Sequence, residues 1–105
     1  MYVVILGAGR IGTRLAIWMS GAGSEVTVID CDKDKLKLLD RVLGEIGLLG
    51  DGSKIAVLDD AGASRADLFI ATTGRDDVNL VACQIAKHRF LVEKTVSILY
   101  DSEHE

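Results

Sequence analysis

A run of aliphatic and β-branched residues, Tyr2-Val3-Val4-Ile5-Leu6, passes directly into Gly7-Ala8-Gly9-Arg10-Ile11-Gly12. That loop passes in turn into an apolar stripe at Ile11, Leu15, Trp18 and Met19. This junction constrains the chain more than any other stretch. A continuous apolar run suits a parallel strand buried on both faces, and the stripe suits one side of a helix. A glycine pattern held between such a strand and a helix has a mechanical reading. Gly7 permits the tight turn, Gly9 permits close approach of phosphates, and Gly12 lets the helix lie close on the strand. The N–H groups at the helix start, those of Arg10, Ile11 and Gly12, are then free to hold a pyrophosphate or polyphosphate. In a chain with 11 glycines the pattern alone is weak, and a ligand-free turn has the same letters. Its place between strand and helix gives it weight.

Strand and helix patterns go on alternating to the end. EVTVID, Glu25 to Asp30, is a second strand, and Asp32 can cap a helix carrying Leu36, Leu39 and Leu43. Ile46 to Leu49 is a short third strand interrupted by Gly47. Gly50-Asp51-Gly52 is a turn, with Ser53 as cap of a short helix that bears Ile55 and Leu58 and ends at Gly62. Asp67 to Thr72 is a fourth strand. A fourth helix follows, with Val78, Val81, Ala82 and Ile85 on one face, acids in its first turn and bases at its end. Thr95 to Tyr100 is a fifth strand. Right-handed crossovers between such strands give an α/β, Rossmann-like, doubly wound parallel sheet of order 3-2-1-4-5. We expect one domain over residues 1–100 and a polar tail over 101–105.

In that order the loops after the strands share one sheet edge. Asp30 ends the second strand at the interval of roughly 20 residues from the loop at which a carboxylate meets the hydroxyls of an adenosine ribose. Its charge repels a 2′-phosphate and so disfavours NADP. Cys31, beside it, can touch an adenine edge. Asp51, with Gly52, either accepts from an adenine amino group or serves its own turn. Thr72-Thr73-Gly74 either bonds phosphate or ribose, or caps the helix that follows. Arg10 either reaches a ligand phosphate or is solvated.

Composition narrows the function classes. The net charge is −4, which argues against nucleic acid and anionic membrane surfaces as partners. No apolar run approaches the ~20 residues that span a bilayer, so direct membrane insertion is not expected. No signal peptide is recognisable before Tyr2. The two cysteines, Cys31 and Cys83, make neither a disulfide framework nor a metal site, and no metal is expected.

The stretches VVILGAGRIG, VTVIDCD, LLGDGS and ADLFIATTGRDDVNLVACQIAK resemble, in this order, the nucleotide-binding domain of prokaryotic potassium-uptake regulators. These are the Trk and Ktr peripheral subunits and the related RCK domains of potassium channels. The most specific part is Gly50-Asp51-Gly52-Ser53 followed by Asp76-Asp77-Val78-Asn79-Leu80-Val81-Ala82. General dehydrogenases share the glycine loop but not usually that second segment. The resemblance implies a domain that binds NAD(H), with ATP or ADP as the alternative, and whose ligand gates an associated potassium transporter or channel subunit. It implies a cytoplasmic place at the inner face of the membrane, reached through that partner. By position, the glycine loop would hold phosphates, Asp30 the ribose, and Asp51 would lie near adenine. Arg10 matches family loops whose arginine reaches ligand phosphates. Family domains usually continue into a further helix and a sixth strand, whereas this sequence stops soon after the fifth.

The competing reading is the cofactor-binding half of an NAD-dependent oxidoreductase. It needs a general acid or base at the sheet edge. The two histidines, His88 and His104, fall at a helix end and in the tail. Cys83 falls in mid-helix with no neighbouring base, so no catalytic residue is expected. The apolar fifth strand would be an edge of the kind that proteins cover or pair. With the helix Arg75–Lys87, it predicts a homodimer or higher homo-oligomer.

Overall fold

In the computed structural model, which describes residues 1–98, strands and helices alternate as the sequence patterns require. The elements are β1 (Tyr2–Leu6), α1 (Arg10–Gly21), β2 (Glu25–Asp30), α2 (Lys33–Leu43), β3 (Gly47–Leu49), α3 (Ile55–Asp60), a single 3₁₀ turn (Ala63–Arg65), β4 (Leu68–Ala71), α4 (Asp76–His88) and β5 (Lys94–Ser97). The sheet is parallel throughout, in the order β3-β2-β1-β4-β5. β1 is central, and all five of its residues are buried.

The pleat of β1 divides the core in two. Val3 and Ile5 face α1 and α2, where they pack with Ala16, Leu36 and Leu39. Tyr2, Val4 and Leu6 face the other layer, with Leu58, Phe69, Ala82 and Ala86. Both faces of the strand are therefore dry, which is why it reads as a continuous apolar run. At the far end of β1 the Tyr2 hydroxyl bonds the Thr27 hydroxyl and the Ala61 carbonyl. The Arg65 guanidinium lies 4.6 Å from the Tyr2 ring centre. These contacts fix the sheet edge opposite the glycine loop.

Several local expectations are corrected. Trp18 does not join the buried stripe of α1; it is 70% exposed, and the fully buried positions of that helix are Gly12 and Ala16. Ser53 does not cap α3. Lys54 holds the cap position, without a side-chain bond, because the Ser53 hydroxyl is bound to Asp51. α3 stops at Asp60, and Gly62 turns the chain at φ +80°. By contrast, Asp32 does cap α2, accepting from the N–H groups of Asp34 and Lys35. β3 and β4 are each shorter than expected. β5 begins one residue earlier, at Lys94, and ends at Ser97. Leu99, Tyr100 and the tail 101–105 lie outside the described residues, as does any sixth strand.

Candidate functional site

The glycine loop is a packing solution before it is anything else. Gly7 adopts φ +114°, a left-handed conformation, and its N–H donates to the Ile29 carbonyl at 2.7 Å. A Cβ on Gly7 would stand 3.0 Å from the Thr72 carbonyl. A Cβ on Gly12 would stand only 1.9 Å from the Gly7 carbonyl oxygen, so α1 can start this close to β1 only with glycine there. Gly9 differs, since a Cβ at that position meets nothing within 4 Å. Gly9 also occupies the cap position of α1, and no side chain closes it. The first intrahelical bond runs from the Thr13 N–H to the Gly9 carbonyl. The N–H groups of Arg10, Ile11 and Gly12 thus have no intrahelical acceptor, and the positive end of the helix stays open.

Asp30 ties this loop to the neighbouring strand. Its Oδ2 accepts from the Ala8 N–H at 2.7 Å and its Oδ1 from the Asp32 N–H at 2.8 Å. Each carboxylate oxygen has two acceptor directions, so each keeps one for a ligand hydroxyl. The residue is half-buried at the tip of β2.

Above the carboxyl edge lies a cleft of about 830 Å³, within the size range of small-molecule sites. Gly7 and Gly9 line it from the glycine loop, and Asp30 and Cys31 from the end of β2. Asp51 and Gly52 line it after β3, and Thr72, Thr73 and Gly74 after β4. Arg10, Ile11 and Gly12 are not among the lining residues; Arg10 is exposed at the start of α1, and Gly12 is buried. Lys35, Arg75, Asp77, Val78 and Val81, which the sequence reading did not assign to the site, do line it. Val81, expected in the core, is 46% exposed and forms apolar wall instead. For Arg75 the available signal was its place directly after the loop that follows β4. Nothing in the sequence marked Lys35.

Two turns shape the rim. Asp51 Oδ1 accepts from the Ser53 N–H at 2.9 Å and from the Ser53 hydroxyl at 2.7 Å. Those two bonds, helped by the charges of Lys54 and Arg75, hold its carboxyl below the usual carboxylate range. After β4, the Thr73 hydroxyl donates to Asn79 Oδ1 at 2.6 Å and receives the Arg75 N–H at 3.2 Å. Asn79 is fully buried. Its Oδ1 also accepts the Thr73 N–H, while its Nδ2 donates to the Thr73 and Ile98 carbonyls. The Thr73 hydroxyl is therefore committed to the turn before α4 but does not cap the helix, since Arg75 holds the cap position and no side chain bonds there. At the mouth of the cleft the Arg75 guanidinium donates to Asp77 Oδ2 at 2.8 Å. This bond keeps the Asp77 carboxyl below its ordinary range.

Among the described residues no histidine lines the cleft. Burial pushes the Cys83 thiol up, and its Sγ lies against the Val96 carbonyl, away from the cleft. His88 closes the last turn of α4.

The TrkA-N domain family matches residues 3–105. This chain belongs to the TrkA-N family. It is 38% identical over 99 residues to the Trk system potassium uptake protein TrkA homolog of Pyrococcus abyssi, covering 94% of this chain and 43% of that protein. The chain thus spans less than half the length of that curated relative. Among solved structures, the AMP-bound Kef C-terminal domain of Shewanella denitrificans superposes with a TM-score of 0.80 at 26% identity, over 99% of this chain and 62% of that one. The TrkA-N domain of the Escherichia coli inner membrane protein ybaL superposes with a TM-score of 0.83 at 19% identity, over 97% and 76%. Dehydrogenase and reductase chains share the fold with lower scores, from 0.54 to 0.69. The doubly wound TrkA-N sheet and its glycine loop are thus those the sequence pattern called for.

Proposed function

We propose that this TrkA-N domain is the nucleotide-sensing part of a potassium-uptake regulator. The carrying observation is the meeting, in one cleft, of the uncapped start of α1 behind Gly9 and the Asp30 carboxylate at the tip of β2. These two features suit an adenosine phosphate: N–H groups for the phosphates, a charged acceptor for the ribose. The Trk names of the relatives and the AMP held by the Kef domain favour the same reading. NAD(H) is the first candidate ligand and ATP or ADP the alternative. Gly7, Gly9 and Gly12 would hold phosphates. Cys31, Asp51 and Gly52 would border the adenine, and Thr72, Thr73 and Gly74 the far end of the ligand.

On this reading the domain regulates rather than catalyses. A ligand moves a switch only by binding its two states with different free energy, and the potassium path belongs to a membrane partner subunit. The domain then works in the cytoplasm, at the membrane but not in it. Among the described residues no helix is long and apolar enough to cross a bilayer. The fold shared with dehydrogenases keeps the oxidoreductase reading as the alternative, and among the described residues no histidine lines the cleft to serve it.

Calorimetric titration of NADH, ATP, ADP and AMP tests the ligand. Micromolar binding of at least one is expected, with no NADH oxidation in the presence of small carbonyl compounds. Failure of all four to bind would remove the sensor reading, and steady turnover would favour the enzyme. A homodimer or higher oligomer is also expected. Trp18 and Ile17 on α1, with Leu38 and Val42 on α2, leave large apolar side chains exposed, as contact faces do. Light scattering that finds only monomer at about 50 μM, a weak affinity near −6 kcal/mol, would count against it.

A further inference from the structure

We propose that Arg75 and Asp77 form an exchangeable pair through which the cleft senses negative charge beyond the second phosphate of its ligand. The inference rests on the nucleotide reading and adds to it a residue that discriminates between ligands.

The sheet order supplies the geometry. The tips of β2, β1 and β4 stand in a row, each about 4.8 Å from the next. A ligand with its ribose at Asp30 and its first phosphates over the glycine loop therefore has its far end at the tip of β4. Arg75 lines the cleft there, and Arg10 does not line it. Lys35 also lines it, but from α2, beyond β2, where the shared adenosine would lie.

The pair is built to be exchanged. The Arg75 and Asp77 side chains are 72% and 69% exposed, and ion pairs this exposed are held weakly. A terminal phosphate offers the guanidinium more charge and the same forked geometry as a carboxylate. The backbone beneath is not free to drift. Arg75 donates its N–H to the Thr73 hydroxyl, and Thr73 is gripped by buried Asn79. A mobile side chain thus projects from a fixed base. In the free protein Asp77 holds the guanidinium at the mouth. With a triphosphate in place the guanidinium transfers to the phosphate. With NADH, whose far end is an uncharged dihydronicotinamide ribose, it stays on Asp77.

ATP, ADP, AMP and NADH are titrated calorimetrically, at low ionic strength, into wild type, Arg75→Gln and Asp77→Asn. Arg75→Gln is expected to weaken ATP about five- to tenfold and to change NADH less than twofold. Asp77→Asn is expected to tighten ATP by about two- to fivefold, because its competitor for the guanidinium is gone. Arg75→Lys, which keeps the charge without the fork, is expected to fall between wild type and Arg75→Gln. Equal changes for ATP and NADH, an unchanged ATP affinity in Arg75→Gln, or weaker ATP binding in Asp77→Asn would each overturn the exchange while leaving the nucleotide site standing. Binding of none of the four by wild type would overturn both.

Discussion

Asp30→Ala lowers the affinity for NADH and ATP alike, by about ten- to a hundredfold. The carboxylate would make charge-assisted bonds to ribose hydroxyls, and such bonds are worth about 1.5–3 kcal/mol. The substitution also frees the Ala8 N–H that Oδ2 now holds at 2.7 Å, so the glycine loop loses its tie to β2. The two effects separate with Asp30→Asn, which keeps an acceptor for one of them but loses the charge. Calorimetry on both variants, with melting temperatures beside it, measures the ribose contribution apart from the loop. Unchanged affinity in Asp30→Ala would sink the assignment. So would tighter binding of NADPH than NADH by wild type, since a 2′-phosphate would meet the carboxylate directly.

Gly12→Ala strikes the fold itself. Its Cβ would lie 1.9 Å from the Gly7 carbonyl oxygen and 3.3 Å from the Thr72 side chain. Overpacking a core usually costs about 1–3 kcal/mol, and here the obstacle is backbone. That backbone cannot step aside, because Gly7 is bonded to Ile29 and rests against Thr72. We expect a loss of about 3 kcal/mol, a fall in melting temperature of roughly 12–24 °C for a domain of this size. Gly9→Ala is the control, since its Cβ enters open space; its melting temperature should barely move while phosphate-bearing ligands bind less well. A Gly12→Ala variant melting within a few degrees of wild type would refute the packing argument.

The parts of the fold legible in the sequence were those governed by burial on two faces and by backbone exceptions. β1 is dry on both sides and therefore reads as unbroken aliphatic sequence, and Gly7 and Gly12 stand where no side chain fits. Asp30 could be placed because a strand end and an interval locate it. Trp18 could not. Each helical residue turns about 100°, which puts Trp18 at the margin of the stripe, and α1 meets the sheet through its small residues Gly12 and Ala16. Apolar character alone does not report burial. Ser53 was misread because Asp51, two residues earlier, captures its hydroxyl before a helix can. Asn79 looks like one more polar position on a helix, and only the returning turn at Thr73 shows it to be interior. Arg75 and Lys35 carry no periodic signal, so the side of the cleft they serve emerges only from the three-dimensional arrangement.

The grip of Asn79 on Thr73 spans six positions of chain, and both ends of that span are fixed, one by β4 and one by α4. An insertion or deletion between them would shift the asparagine off its partners and strand polar groups in the interior, at a cost of about 1–3 kcal/mol for each group left unpaired. Length is therefore closed to variation in this segment, while identity at exposed Gly74, Arg75, Asp76 and Asp77 stays open. A chain built this way can change what its cleft prefers by exchanging one side chain for another on an unaltered frame, without redesigning a loop.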